Sequence, residues 1–409
     1  MDPSISLAAQ ICSSSVSDMP QEMARHLFET GAFLIFTNVP EGTEFGIDYK
    51  SWGVGPKFSG LKMIPPGVHF IFFSVKTAPR IGFFHCFKEH EILVRKWDPA
   101  SEDMLTEPSN ADEIARIRAN LKNLDSRLGP YPYENYRSWF ALSSYIKEKS
   151  VERLKPEDER GRITGQAELV TLESEVEANL GMSTSRVDRE HPTRFRFADE
   201  NGLPIMHIKQ GFKIRFTQLE SPLMSDSRAV ESGLDHSTQL DEVIASLDGD
   251  VDELLAEIQF AFVCFLMGQV YEGFEQWKRL IHLLCSCKKA ITTYPNLYIS
   301  LLPTIHFQLK ECPKDFFVDI VSKDNFLTTT LSRLFVNIEG LPFLHGHFVC
   351  RLQLHLFFLH KFAYLQQILC LIPVICENLQ PEILEAFKCI TALCKTSAYD
   401  SVMRQCKRK

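Results

Sequence analysis

The sequence predicts an α+β protein: an N-terminal antiparallel β-sandwich-like domain with packed helices, followed by an all-α helical bundle or short solenoid. Three observations carry this expectation. Between residues 32 and 98, short β-branched or aromatic runs are divided by glycine and proline, the punctuation of strands joined by turns. A polar stretch of mixed charge then intervenes. Beyond it, apolar residues recur at helical spacing. The expected division is a β-rich domain over 1–151, a flexible polar linker over 152–200, a mainly helical domain over 201–397 and a polar basic tail over 398–409.

Residues 20–31, PQEMARHLFETG, read as a short helix closed by Gly31. AFLIFTNV, TEFGIDY, GVHFIFFSV, RIGFFHCF and HEILVRKW read as strands, and the unbroken runs FLIF and FIFF require cover on both faces. Asn110 and Glu113 form a capping-box pattern. Ile114, Ile117, Leu121, Leu124 and Leu128 then fall on one helical stripe, which Gly129-Pro130 ends. Residues 133–148 read as a second helix with Tyr136, Trp139 and Phe140 facing inward. The segment from about 152 to 196 has too few apolar residues to offset its ordering entropy. Strand alternation returns over 205–219, where Ile214 and Phe216 oppose Lys213 and Arg215.

From Thr238 onward helices are expected over about 239–247, 251–270, 273–292, 296–311, 325–338, 343–360, 361–377 and 381–395. Thr238 to Asp241 supplies the first N-cap signal, and Pro303 and Pro373 are expected to kink or divide their helices. FAFVCFL and LHLFFL are apolar around most of the helix circumference, which places them between neighbours. No fixed repeat length is legible.

Composition narrows the function classes. A chain of 409 residues with 45% hydrophobic content has material for two cores. The net charge of −8 argues against gripping nucleic acid by bulk electrostatics. The opening MDPSISLAAQICSSSV lacks a basic n-region and an apolar h-region, so no signal peptide is expected. The longest apolar run of the C-terminal half, Ile368 to Cys376, is too short for a membrane span, which needs roughly 18 residues or more. Ten of the twelve cysteines lie at or after Cys264, mostly in apolar helical stretches, and no CxxC pair exists. Reduced, buried thiols in a cytoplasmic or nuclear protein are the reading.

The stretch GVGPKFSG, residues 53–60, poses the sharpest chemical question. A phosphate-binding loop needs consecutive backbone N–H groups and a helix opening behind them. Here Pro56 removes a donor, and Pro65-Pro66 forbids a helix before a strand begins. Turn geometry is the better reading. His69, His85 and His90 lie near strands without metal-ligand spacing, and His345, His347, His355 and His360 lack a carboxylate at the zincin spacing. Asp248-Gly-Asp-Val-Asp252 starts like a calcium loop, but Glu253 replaces the required glycine and Gln259 the bidentate glutamate. Capping of a helix by Asp250 explains the acids better. No catalytic, cofactor-binding or metal-binding residue is assigned.

GTEFGIDYKSW, VGPKFSGLKMIPPGVHFIFFS and RIGFF resemble the N-terminal domain of the cistron-splicing factor family, the assembly chaperones of the U5 snRNP. The likeness is dense over about 40 residues, and the layout of the remainder agrees. The resemblance implies a non-enzymatic factor that needs no cofactor. It would bind the large U5 snRNP scaffold protein through that partner's RNase H-like and Jab/MPN-like domains, and hold off the helicase and RNA during maturation. Fungal members add a strand from a C-terminal tail, but KTSAYDSVMRQCKRK shows no strand alternation, so that contact is not carried over. No contact residue is transferred individually.

Other readings remain open at this point. One is a nucleotide- or metal-dependent enzyme centred on Lys57 and the histidines of the β domain; another is a helical trafficking adaptor, supported by fold analogy alone. Ser183, Thr184 and Ser185, beside Arg186, form a possible phosphorylation switch, since added negative charge remakes local contacts.

Overall fold

The computed structural model describes residues 21–76, 78–105, 111–158, 160–169, 206–208, 211–219, 235–312 and 326–339. Helix α1 (Gln21–Thr30) ends where the Gly31 N–H donates to Leu27 O at 2.9 Å. Strands β1 (Ala32–Thr37), β2 (Glu44–Ile47), β3 (Lys50–Gly53), β4 (Gly60–Ile64), β5 (Gly67–Ser74), β6 (Ile81–Phe87), β7 (Ile92–Asp98) and β8 (Asp103–Leu105) follow in order. Then come α2 (Ala111–Leu124) and β9 (Leu128–Pro130).

Two five-stranded sheets face each other. One runs β8-β7-β1-β4-β9; the other starts from β10 (Ile163–Thr164) and runs β10-β6-β5-β2-β3. The second is antiparallel throughout. The first is mixed, because β1 pairs with β7 and β4 with β9 in parallel. Between them lies an aromatic core that includes Phe36, Phe45, Phe73, Phe87, Trp97 and Tyr131. The unbroken apolar strands are covered on both faces, as their sequences require. In β1, Leu34 and Phe36 enter the intersheet core, while Phe33 and Ile35 meet Ile114, Ile117, Leu121 and Leu124 of α2.

Helix α2 ends earlier than its apolar stripe suggests. Lys62 Nζ donates both to the Asp125 carboxylate and to its carbonyl oxygen, and Leu128 is drawn into strand β9 opposite Gly60. The proposed cap Asn110 lies outside the described residues. The expected helix over 133–148 is a single turn at Tyr133–Asn135, then α3 (Tyr136–Ser143), with α4 (Glu148–Leu154) after a break. Trp139 is buried and Tyr136 half-buried, but Phe140, expected to face inward, is 48% exposed. Trp139 and Leu142 take the short helix's buried face instead.

The first part of the polar segment is built into the fold. Leu154 and Ile163 are buried, β10 pairs with β6, and β11 (Ala167–Leu169) pairs with β12 (Met206–Ile208). Residues 211–219 show the expected burial alternation, with Ile214 and Phe216 buried and Lys213 and Arg215 exposed, yet form no ladder. Instead the Arg215 N–H donates to Leu154 O at 3.0 Å. The segment is an extended strap.

Helices α5 (Ser237–Ser246), α6 (Val251–Leu266), α7 (Tyr271–Ser286), α8 (Ala290–Thr293), α9 (Pro295–Glu311) and α10 (Phe326–Glu339) complete the described chain. Helix α5 starts a residue before the expected cap, because Asp235 accepts from both the N–H and the hydroxyl of Ser237. Asp250 caps α6, as the sequence suggests, accepting from the Asp252 N–H at 3.0 Å. Helix α9 continues through Pro303. The helices expected after residue 340, Pro373 and the tail lie outside the described residues. The described residues up to Glu311, together with those from Thr330 to Glu339, form one compact unit; the second unit falls almost wholly outside the described residues. The mixed α+β class stands.

Candidate functional site

The glycine-studded stretch is a turn. Gly53 closes β3 and Gly60 opens β4, and Lys57 is exposed between them with no helix behind it. The Phe58 N–H donates to Gly55 O at 3.1 Å, and the Ser59 N–H to Arg127 O at 3.0 Å. Gly60 is the position that demands glycine: its φ is +134°, and a Cβ would fall on the Leu34 carbonyl oxygen. At Gly53 and Gly55 a Cβ would meet nothing within 4 Å. Pro56 and the strand that follows leave Lys57 without the consecutive N–H donors of a nucleotide site.

The three β-domain histidines are structural here. His69 and His85 are cross-strand partners on β5 and β6. His69 is 1% exposed, with Nδ1 2.7 Å from Asp48 Oδ2 and Nε2 2.9 Å from Pro65 O. Both nitrogens thus face oxygen acceptors. Asp48 stands in the two-residue turn between β2 and β3 at φ +53°, and its carboxylate also accepts from Tyr131 OH at 2.6 Å and the Phe70 N–H at 3.0 Å. Burial, then the nearby Asp48 charge, pushes the Tyr131 phenol well above its ordinary value. Trp139 stacks on His69 and donates its indole N–H to Val68 O. This knot fixes α3 on the sheet. His85 meets Glu91 at 2.8 Å, and burial lowers its pKa. The exposed His90 donates to Glu29 O.

The face of the second sheet that turns away from the intersheet core receives α6. Phe84 stacks on Phe260 with ring centroids 4.3 Å apart, and Phe216 of the strap meets the same ring edge-on at 6.3 Å. Every residue of α6 from Glu253 to Cys264 is buried. Three of them are polar, and each is tied to the elements around it. Glu257 is 0% exposed and accepts from Arg153 Nη1 (2.8 Å), the Thr217 N–H (2.8 Å) and hydroxyl (2.6 Å), and Gln276 Nε2 (3.0 Å). Glu253 accepts from Ser150 Oγ at 2.9 Å, and Gln259 from the Tyr145 N–H at 2.8 Å. At the far end Arg80 joins Glu44 to Met267 O, each at 2.8 Å. Buried polar groups placed this way hold a unique arrangement of neighbours. The seam is a stitched one.

Beside it opens a cleft of about 160 Å³, lined by β6, β7, α4 and the segment that leads into β10. Three cationic side chains, Arg95, Lys155 and Arg160, reach it together with Glu152. Among the described residues no cluster of His, Cys, Asp and Glu could hold a metal ion. Cys264, Cys285 and Cys287 are buried without a disulfide, and burial pushes the Cys264 and Cys285 thiols far up, which keeps them unreactive. No helix among the described residues is long and apolar enough to cross a membrane. Ser183, Thr184 and Ser185, like the four C-terminal histidines considered above, lie outside the described residues.

Sequence reading missed the seam. Its only local signal is Glu253, Glu257 and Gln259 in a mostly apolar helix, which marks buried partners rather than a solvated face. Asp48 gave no signal, since its partners His69, Phe70 and Tyr131 lie far along the chain.

Residues 30–156 match the AAR2 N-terminal domain and residues 219–365 the AAR2 C-terminal repeat region. The second description names a repeat where no fixed period is legible. The chain is 53% identical over 327 residues to the Protein AAR2 homolog of Caenorhabditis elegans, covering 78% of this chain and 90% of that one. It is 39% identical over 332 residues to the human homolog, covering 78% and 85%. To the A1 cistron-splicing factor AAR2 of Saccharomyces cerevisiae it is 22% identical over 292 residues, covering 69% and 77%. The matched span contains both sides of the seam, from the strands of the β layers to the buried acids of α6. The chain belongs to the AAR2 family of splicing factors.

Proposed function

We propose that this protein is a non-enzymatic assembly factor of the spliceosomal U5 snRNP. It binds the large scaffold protein of that particle through the partner's RNase H-like and Jab/MPN-like domains, and delays helicase and RNA association during maturation. It works in the cytoplasm and the nucleus. The single observation that carries this reading is the stitched seam in a chain of the AAR2 family: β layers and helices are locked by buried charge and stacked rings into one platform. A platform of this kind presents two kinds of surface at a fixed spacing, and simultaneous engagement of two partner domains raises the effective concentration for the second. The net charge of −8 complements basic, RNA-binding surfaces on the partner.

Affinity purification of the tagged full chain tests the reading. U5 particle proteins, the scaffold foremost, are expected in the eluate, and their absence from it removes the proposal. ATP, GTP or divalent ions are expected to leave the melting temperature unchanged; a shift that depends on Lys57 would instead support an enzyme.

Phosphorylation at Ser183, Thr184 and Ser185 would add negative charge beside Arg186 and alter partner affinity. Aspartate and alanine replacements across the three positions are expected to differ in that affinity, and equal values would remove the switch.

A further inference from the structure

The second sheet ends in a strand whose outer edge is open. In the order β10-β6-β5-β2-β3, strand β3 comes last, and its Lys50, Ser51 and Gly53 are exposed. Hydrogen-bond direction says which backbone groups that edge carries. The Val54 N–H donates to Thr43 O and the Val54 carbonyl accepts from the Gly42 N–H, both at 2.8 Å, so Val54 points toward β2. Backbone groups alternate sides along a strand, so Trp52 and Lys50 also point toward β2, opposite Phe45 and Ile47. Ser51 and Gly53 therefore turn their N–H and C=O groups outward. Among the described residues no strand pairs with them.

The side chains along this edge are selective. Trp52 is half-buried, packing on the intersheet core while keeping part of its surface open. Lys50, two residues back, lies on the same face of the strand. Lys57 and Arg127 stand beyond the other end, where Arg127 Nε donates to Lys57 O at 3.3 Å. All three cations are exposed, and among the described residues none has an ion pair. Of the carboxylates around them, Asp125 is held by Lys62 and Glu44 by Arg80, and Glu311 bears on Tyr49. Glu41 is left exposed at the turn beyond Val54. In a chain of net charge −8, a strand edge bracketed by cations is a local reversal of sign.

We propose that the outer edge of β3 accepts an extended, acidic segment of a partner protein as an added antiparallel strand. An apolar side chain of that segment would lie against Trp52, and a carboxylate two residues on would face Lys50. Backbone pairing satisfies the open edge, and cross-strand aromatic and charge pairs select the sequence. The same cations disfavour a second copy of this chain, since edge-to-edge pairing brings two identical sets of positive charge together. A short edge strand carrying lysine is guarded against indiscriminate pairing; an acidic strand is the one that lysine attracts. The inference stands on the edge alone and does not depend on the scaffold reading.

The test uses the full chain with 15N-labelled glycine, the Gly53 amide being assigned through Gly53→Ala. The probe is acetyl-Thr-Val-Thr-Glu-Thr-amide, in which valine falls opposite Trp52 and glutamate opposite Lys50. It is expected to shift the Gly53 resonance saturably and to slow its hydrogen exchange. N-methylation of the central threonine removes the N–H that would donate to Ser51 O and is expected to abolish binding. Lysine in place of glutamate is expected to weaken binding by about 10-fold, because attraction across the strands becomes repulsion, and Lys50→Gln is expected to narrow that preference. Ser51→Pro removes an outward N–H and leaves the ladder to β2 whole. It is expected to abolish binding with the melting curve retained, and the N-methyl peptide decides if this variant fails to fold. No saturable shift, equal affinity for the glutamate and lysine peptides, or an N-methyl peptide that binds as well as its parent overturns the proposal. A Gly53 amide already slow to exchange in the free chain overturns it in favour of another segment of this chain on the edge. Concentration-dependent dimers that Ser51→Pro dissolves overturn it in favour of a second copy.

Discussion

Phe84 of β6 and Phe260 of α6 lie 4.3 Å apart, centroid to centroid, with 26° between their planes. They are separated by more than 170 positions in the chain, yet they form the contact through which the β layers and the helices share one core. Phe260 is 0% exposed, and full burial of such a ring contributes about 1.5–3 kcal/mol. Phe84→Ala and Phe260→Ala are each expected to destabilise the protein by about 3–5 kcal/mol in urea titration. The double variant is expected to lose about 1 kcal/mol less than the sum. Strict additivity would mean the rings do not interact.

Glu257 is held by four donors and has no exposure. Replacing it by alanine leaves the Thr217 and Gln276 donors without this acceptor and Arg153 with Glu253 as its remaining carboxylate, which is expected to cost about 1–3 kcal/mol. Glu257→Gln keeps the shape and one acceptor, so a smaller loss follows. Chemical denaturation of both variants checks the order, and a harmless Glu257→Ala would show that the seam is not stitched there.

The glycines of the 53–60 turn are expected to be unequal. Gly60→Ala forces a Cβ onto the Leu34 carbonyl at φ +134°, and strain of that kind costs about 1–3 kcal/mol before any clash is added. Gly53→Ala and Gly55→Ala meet open space and are expected to stay within about 0.5 kcal/mol of the parent. Melting temperatures of the three variants separate turn geometry from a phosphate loop, in which every glycine would matter to ligand binding.

Stability is expected to fall on mild acidification. Burial lowers the pKa of His85, His236 and His282, and Arg333 adds to the effect at the last two. A histidine whose folded pKa lies below its unfolded value of about 6.5 is neutral in both states above that pH. As pH falls through this value the unfolded chain takes up protons first, so stability is lost from there down to the folded pKa. The carboxylates held low by their hydrogen bonds against the push of burial, Asp158 and Asp235, act only in more acid solution. Urea midpoints between about pH 7.5 and 5.5 are expected to decline, less steeply in His282→Gln. A flat profile would exclude the buried neutral histidines.

What was legible in the sequence was local. Strands β1, β5, β6 and β7 announce themselves through β-branched and aromatic runs between turn residues, and Asp250 through its place before an apolar helix. Features that depend on distant partners were not. Leu128 fits a helical stripe, but Gly60 of β4 claims it for a strand. The polar start of the expected linker is ordered because its opposite charges find each other, as Arg162 does with Asp158 at 2.7 Å. The strap over 211–219 keeps strand-like alternation because the seam, not a ladder, buries Ile214 and Phe216. The seam itself was the least legible element, since Glu257, Arg153, Thr217 and Gln276 meet from four separate segments.

The most direct measurement is calorimetric titration of the full chain with the scaffold's RNase H-like domain, its Jab/MPN-like domain and the two linked together. A platform that grips both is expected to bind the linked pair about 10²–10⁴-fold tighter than either domain alone. Linked and single domains binding with equal affinity, or none of them binding, would contradict it.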